Sequence, residues 1–302
     1  MMPENPTDPP PVRSLGIVVN EEKPEAVRLG EELHAWLKAR GVPAEVIHLR
    51  RETGADQEWR TLEGASSPPK RLFGDALVVL GGDGTLLATS RIAAASGQPM
   101  LSVHLGGFGF LTECAPEDVR QGTQRLLSGD YHVAERVMLQ TIICGAQGGD
   151  RVYTALNDVV VAKGTLARLL HLRAFVDGSF VAAYAADGLI VSSPTGSTAY
   201  SLSAGGPLVH PDLEVFLLTP ICSHGLNVRP LVLPATSEVK LTVENAADSE
   251  VVATMDGQMG VPLLPGEYLL VRRSPMRARL VQLGMTDFYR KLRDKLGWGE
   301  RC

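Results

Sequence analysis

The chain has 302 residues, 44% of them hydrophobic, enough for one large or two ordinary domains each with its own core, and two is the reading adopted. Its 29 basic and 34 acidic residues leave a formal net charge of −5, without the basic field on which non-specific nucleic-acid binding depends. Neither DNA nor RNA is expected as a partner.

The opening MMPENPTDPPPVR carries too much proline and too little apolar length for a signal peptide, and residues 1–13 read as a disordered tail. No later stretch reaches about 18 unbroken apolar residues, so a soluble, cytoplasmic protein with no membrane partner is expected. Cys114, Cys144, Cys222 and Cys302 lie far apart with no zinc-ligand spacing, and read as reduced thiols.

Residues 14–133 carry an α/β pattern. An apolar run at 14–20 predicts a strand, and the spacing of Ala26, Leu29, Leu33, Trp36 and Leu37 predicts a helix over 24–40, closed by Gly41. A short run at 44–49 and polar, proline-rich sequence to 70 precede ALVVL, a buried strand ending in GGDG. A helix at 85–95, a strand at 100–105 and an amphipathic helix at 116–127 complete a Rossmann-like domain with a parallel sheet. Residues 134–281 read as an all-β, sandwich-like domain with strands at 136–144, 151–162, 169–177, 215–220, 239–243 and 268–273. Residues 282–302 form a helical tail through Phe288, Leu292 and Leu296, read as returning to the first domain.

Three stretches carry chemistry. The loop Gly81-Gly82-Asp83-Gly84 falls at the carboxyl end of a parallel strand and opens a helix, where backbone N–H groups and the helix dipole favour anions. It matches neither GxGxxG nor GxxxxGK[ST]. A carboxylate beside phosphate is repulsive unless a divalent cation stands between them or the carboxylate faces a hydroxyl whose proton it accepts. Both belong to phosphoryl transfer to an alcohol. The other reading is a tight turn in which Asp83 caps the helix.

The second stretch is DGLIVSSPTGSTAYSLSAGGP, starting at Asp187. Eight of the twelve residues from Ser192 to Ser203 carry hydroxyls, with no Lys or Arg among them. Neutral donors suit sugar hydroxyls, amides and phosphate oxygens, although such composition also suits a flexible linker. The third, Asn157-Asp158 before an apolar run, can hold vicinal hydroxyls and a base edge, or be ordinary turn chemistry. Cys222 and His224 in PICSHGL lack further metal ligands, and His104, His132, His171 and His210 show no paired spacing.

In this order the three stretches resemble the NAD kinase family. The resemblance extends through GFGFLTE, Glu135-Arg136, RPLVLP at 229–234, DGQ at 256–258 and the terminal KLGW, over roughly residues 14–299. It implies phosphorylation of the adenosine-ribose 2′-hydroxyl of NAD from ATP or polyphosphate, with magnesium accompanying the donor and no metal ligand assigned to the protein. It also implies Asp83 as proton acceptor with Gly84 beside it, and Asn157 and Asp158 holding NAD. Arg168, Asp187 and Gln258 are implied as further contacts, with Thr198, Ala199, Tyr200, Ser201, Leu202 and Ser203 lining the nucleotide pocket. A homodimer or homotetramer is implied too. The chain departs from the family pattern at Ala185 and His104. Two other classes remain open: a lipid or sugar kinase sharing GGDG, the lipid version of which the absence of a basic amphipathic segment argues against, and a non-catalytic NAD(P)-binding module.

Overall fold

The computed structural model describes residues 9–51, 59–61 and 71–297 apart from 108, 146–148, 165–168, 226, 245 and 247–249, with backbone alone at 51 and 59–61. The chain divides into two compact units: one comprises residues 1–51, 59–135 and 278–302, the other chiefly 136–277.

In the first unit, β1 (Leu15–Asn20) is apolar and buried along its whole length, as a parallel strand covered on both faces must be. Helix α1 (Pro24–Lys38) begins at a proline, whose missing N–H is no loss in the first turn, and buries Ala26, Leu33 and Leu37. It is followed by β2 (Ala44–Arg51), parallel to β1, and β3 (Trp59–Thr61), antiparallel to β2. The sheet is therefore mixed, not purely parallel as expected. The link from Arg51 to Trp59 is too short for the crossover of a dozen or more residues that a parallel return needs.

Next come β4 (Ala76–Gly81), α2 (Asp83–Ala93), β5 (Met100–His104) and α3 (Val119–Ser128), the last closed by Gly129 at φ +81°. The order β5-β4-β1-β2-β3 sets β1 and β4 side by side in parallel, with Val19 opposite Leu80. Their carboxyl ends, Asn20 and Gly81, thus open onto the same edge of the sheet.

The second unit runs through β6 (His132–Cys144), β7 (Arg151–Ala155), β8 (Asp158–Lys163), β9 (Leu170–Val176), β10 (Ser179–Ala186), β11 (Gly188–Ser192), α4 (Tyr200–Ser203), β12 (Val215–Ile221), β13 (Leu231–Pro234), β14 (Val239–Val243), β15 (Val251–Met255), β16 (Met259–Pro262) and β17 (Tyr268–Gln282). One antiparallel sheet has the order β13-β12-β11-β8-β15-β16; facing it, β10-β9-β14-β17 runs antiparallel, with β6 joining β17 to β7. Val159, Val161, Leu189 and Val191 from the first share one core cluster with Leu139, Leu170, Leu172 and Leu241 from the second. The outer face of β8 and β11 is buried as well, around Val160, Ile190 and Ile221 with Ala204 packed on them. The single strand expected at 151–162 is broken into β7 and β8, because Leu156 and Asn157 turn their backbone toward Asp256.

Strand β17 is longer than its apolar start suggests. Its first residues pair with β14, and Leu280 pairs with Met100 of β5. The chain then enters α5 (Phe288–Leu296), whose N-cap Asp287 accepts the Arg290 N–H at 2.8 Å. Lys291 donates from α5 to the Thr112 carbonyl at 2.8 Å. Among the described residues no helix is long and apolar enough to cross a membrane.

Gln98, 3% exposed, accepts the Leu72 N–H and donates to the carbonyls of Leu72 and Gly74. Gln98→Leu would strand all three groups, and urea unfolding should show a loss of about 1–3 kcal/mol.

Candidate functional site

Two constellations stand out, one in each unit. In the first unit, β4 delivers Gly81 and Gly82 to the sheet edge, and Gly82, in extended geometry at φ −141°, is the N-cap of α2. No side chain caps that helix end, so Asp83 does not act as its cap. The half-buried Asp83 carboxylate turns instead to the GGFGFL loop: Oδ2 accepts the Phe110 N–H at 3.0 Å and Oδ1 the Leu111 N–H at 3.2 Å. Gly109 is required there, since a Cβ would collide with the carboxylate. One N–H on each oxygen fixes the direction of the group and leaves lone pairs for a hydroxyl.

Two residues from the end of β1, neither singled out in the sequence, complete this edge. Asn20, buried, accepts the Glu22 N–H and reaches Thr85 of α2 at 3.4 Å. Lys23 donates to the Leu105 carbonyl at 2.9 Å, and its ammonium lies 3.9 Å from where a Gly82 Cβ would stand. No carboxylate lies within ion-pair distance of Lys23 among the described residues. A cation beside a glycine loop and a helix N-terminus is suited to phosphate oxygens. Its sequence signal was its place just after a strand that is neighbour to the GGDG strand.

In the second unit the Asn157-Asp158 pair begins β8, and Asp158 lies opposite Ser192 of β11. The turn reading does not account for the pair, because Asn157 Oδ1 is buried and has no hydrogen-bond partner. Such an acceptor has a place for a donor from outside. The Asn157 carbonyl is taken by the Ser193 N–H at 2.9 Å and the Ser192 hydroxyl at 3.2 Å, and Gly196 packs so closely on it that a Cβ would clash.

Beneath the pair is Asp256, in the turn between β15 and β16. Its carboxylate accepts the N–H groups of Leu156 at 3.2 Å, Asn157 at 2.7 Å and Asp158 at 3.4 Å. Burial, and then the nearby Asp256 charge, push the Asp158 carboxyl up to about 7. Asp256 itself has φ +54° and is followed by Gly257 at φ +62°. An Asp-Gly pair between two apolar runs is the sequence signal for such a hairpin.

The hydroxyl-rich stretch is not a flexible linker, since residues 191–197 are all buried. Several of its hydroxyls serve the fold. Ser193 donates to the Leu156 carbonyl, Ser197 bridges both polar groups of Val209, and Ser201 pairs with Thr219 at 3.0 Å in the interior. Thr198 and Ala199 are half-buried, and in α4 Tyr200 and Ser203 are exposed and Leu202 is half-buried. Gln258 lies in the same hairpin turn as Asp256, its N–H on the Met255 carbonyl. Asp187 is set apart: it is ion-paired with Lys163 at 2.6 Å, at the opposite end of β8 from Asp158. Gly84 follows Asp83 in the first turn of α2, and Arg168 lies outside the described residues. No group of three or more His, Cys, Asp or Glu is placed to hold a metal among the described residues. Cys114 and Cys144 are buried free thiols and Cys222 an exposed one.

A carboxylate aimed from a glycine frame at the edge of an α/β sheet, with a buried amide and carboxyl waiting for donors on a separate β unit, defines a nucleotide-handling phosphotransferase. Family models agree: residues 15–131 match the ATP-NAD kinase N-terminal domain and residues 156–283 the ATP-NAD kinase C-terminal domain. An NAD kinase of Heliobacterium modesticaldum is 44% identical over 95% of this chain and 99% of the relative. Among solved structures, yeast NADH kinase complexed with NADH superposes with a TM-score of 0.82 at 26% identity, covering 97% of this chain and 90% of that one. An Archaeoglobus fulgidus NAD kinase in complex with ATP shares the fold, with a TM-score of 0.70 at 24% identity over 94% and 98% of the two chains. The chain belongs to the NAD kinase family.

The raised Asp158 carboxyl has a consequence for stability. A carboxyl near 3.8 in the unfolded chain and about 7 in the fold favours folding most at low pH, and that contribution is lost as the pH rises to about 7. Asp158→Asn should therefore gain in melting temperature relative to the unaltered protein between about pH 4 and pH 7 and hold that gain above it. Thermal melts at pH 5 and pH 8 check this.

Proposed function

We propose that Asp83 accepts the proton of the adenosine-ribose 2′-hydroxyl of NAD while that oxygen takes a phosphoryl group and NADP is formed. As a member of the NAD kinase family the chain is a phosphotransferase that phosphorylates NAD using ATP. The observation that carries the reading is the Asp83 carboxylate, half-buried and oriented by two backbone N–H groups within the glycine loop. The hydroxyl oxygen forms a bond to the terminal phosphorus of ATP, or of polyphosphate. The bond to the leaving phosphate breaks, and the proton passes to Asp83. A loose transition state lets the proton leave late, so an ordinary carboxylate suffices as acceptor.

The donor's phosphates lie along Gly82, Gly84 and the Lys23 ammonium, which offsets their charge near Asp83. Magnesium arrives as the complex of those phosphates. NAD is held by Asn157 and Asp158, whose orphaned amide oxygen and buried carboxyl suit a donor and vicinal hydroxyls. Thr198, Ala199, Tyr200, Leu202, Ser203 and Gln258 frame the nucleotide, supported from within by Ser201 on Thr219, with Arg168 and, toward the Lys163 end of β8, Asp187 as further contacts. The family resemblance supports a homodimer or homotetramer, which light scattering checks, and the sequence supports residence in the cytoplasm.

Purified protein with NAD, ATP and magnesium should form NADP. Asp83→Asn should lower kcat by about 100- to 10,000-fold with a much smaller change in KM for NAD. Substantial turnover in that variant would remove Asp83 as the base. Lys23→Ala should raise KM for ATP about tenfold and leave KM for NAD nearly unchanged. Chelating the magnesium should stop turnover without lowering the melting temperature of the free protein.

A further inference from the structure

A carboxylate that accepts three successive backbone N–H groups is an unusual support, and the strip it supports is the one proposed to hold NAD. Asp256 takes Leu156 on Oδ2, and Asn157 and Asp158 on Oδ1. It does so from a residue 8% exposed, at φ +54°, a backbone state few residues other than Gly, Asn and Asp adopt readily. From the other side, the Ser193 N–H and Ser192 hydroxyl close on the Asn157 carbonyl. The Asn157 and Asp158 side chains therefore project from a backbone clamped at both its donors and its acceptor.

We propose that Asp256 is a positioning residue for NAD: its carboxylate sets the Leu156–Asp158 backbone, and with it the direction in which Asn157 and Asp158 meet the nucleotide. The inference rests on the reading that these two residues hold NAD. Asp256 touches no substrate in this account and acts through the strip alone.

The same carboxylate also sets the charge of its neighbour. The carboxylate that accepts these three N–H groups stands as a like charge near Asp158 and adds to burial in raising its carboxyl. The strand on one side of Asp158 presents neutral Ser192, and β15 on the other ends at Met255, just before Asp256. Lys163, farther along β8, is engaged by Asp187. Burial and Asp256 thus account for the raised Asp158 carboxyl. Since only the ionised Asp158 accepts from two hydroxyls, KM for NAD should rise as the pH falls below about 7, approaching tenfold per unit.

The test is Asp256→Asn, which keeps the shape and tolerates the positive φ but places an NH2 where one carboxylate oxygen accepted a backbone N–H. KM for NAD at pH 8 should rise about tenfold or more, with kcat changed far less. The break in KM against pH should move to lower pH, because the like charge is gone while burial remains. A purely structural role would move stability and leave KM for NAD at pH 8 unchanged, since the break follows the lost charge in either case. In the Asp158→Asn background, where carboxylate repulsion is absent, adding Asp256→Asn should still raise KM for NAD through Asn157. This second pair keeps the test open if the single variant folds poorly.

Unchanged KM for NAD at pH 8, in a protein that makes NADP, would overturn the role of Asp256 wherever the break lies. An unaltered protein that makes no NADP from ATP or polyphosphate would instead overturn the kinase reading itself.

Discussion

A carboxylate withdrawn from water has to find donors in the chain, and both constellations are organised by that requirement. Asp83 is met by the amides of Phe110 and Leu111, Asp256 by those of Leu156, Asn157 and Asp158. In each case the donors come from a distant segment. The bond therefore does two things at once: it satisfies a charge and fixes a loop that local sequence would leave undirected. Asp158 is the exception that shows the rule, since burial without comparable backbone donors raises its carboxyl to about 7.

The two kinds of carboxylate suit two kinds of work. Asp83, half-buried and held by one amide on each oxygen, is pre-aimed but open, the condition for taking a proton from an incoming hydroxyl. Asp158, buried against a like charge, is uncomfortable alone and is relieved when hydroxyl donors arrive. With the orphaned Asn157 oxygen, this leaves an unmet need for donors in the free protein, which the proposed nucleotide would supply.

Glycine enforces the same closeness from the other direction. Gly109 lets the loop reach Asp83, and Gly196 lets the hydroxyl-rich segment close on the Asn157 carbonyl. The serines of that segment, which as composition suggested a ligand surface, are largely consumed in this closure: Ser193, Ser197 and Ser201 bond within the protein. The segment is a rigid frame, with Thr198, Ala199, Tyr200, Leu202 and Ser203 left at least partly accessible.

The sequence by itself determined the elements whose pattern is strong and local. The uniformly apolar β1 and β4, the 3.6-residue period of α1 and α5, and the glycine-framed Asp83 at a strand end could all be read directly. The Asn157-Asp158 pair was visible too, but its adjacent residues suit a turn as well as a ligand. The strands β3, β10, β13, β15 and β16 were not legible, since each depends on a partner distant in sequence or on a turn such as Asp256-Gly257. The tertiary structure alone decided that Asp83 faces the 109–111 loop rather than capping α2, that Lys23 stands beside Gly82, and that Asp256 lies beneath Asn157 and Asp158. The physical reason is the same throughout: hydrogen bonds and charge proximity are fixed by distance in space, and 27 residues separate Asp83 from Phe110, 98 separate Asp158 from Asp256.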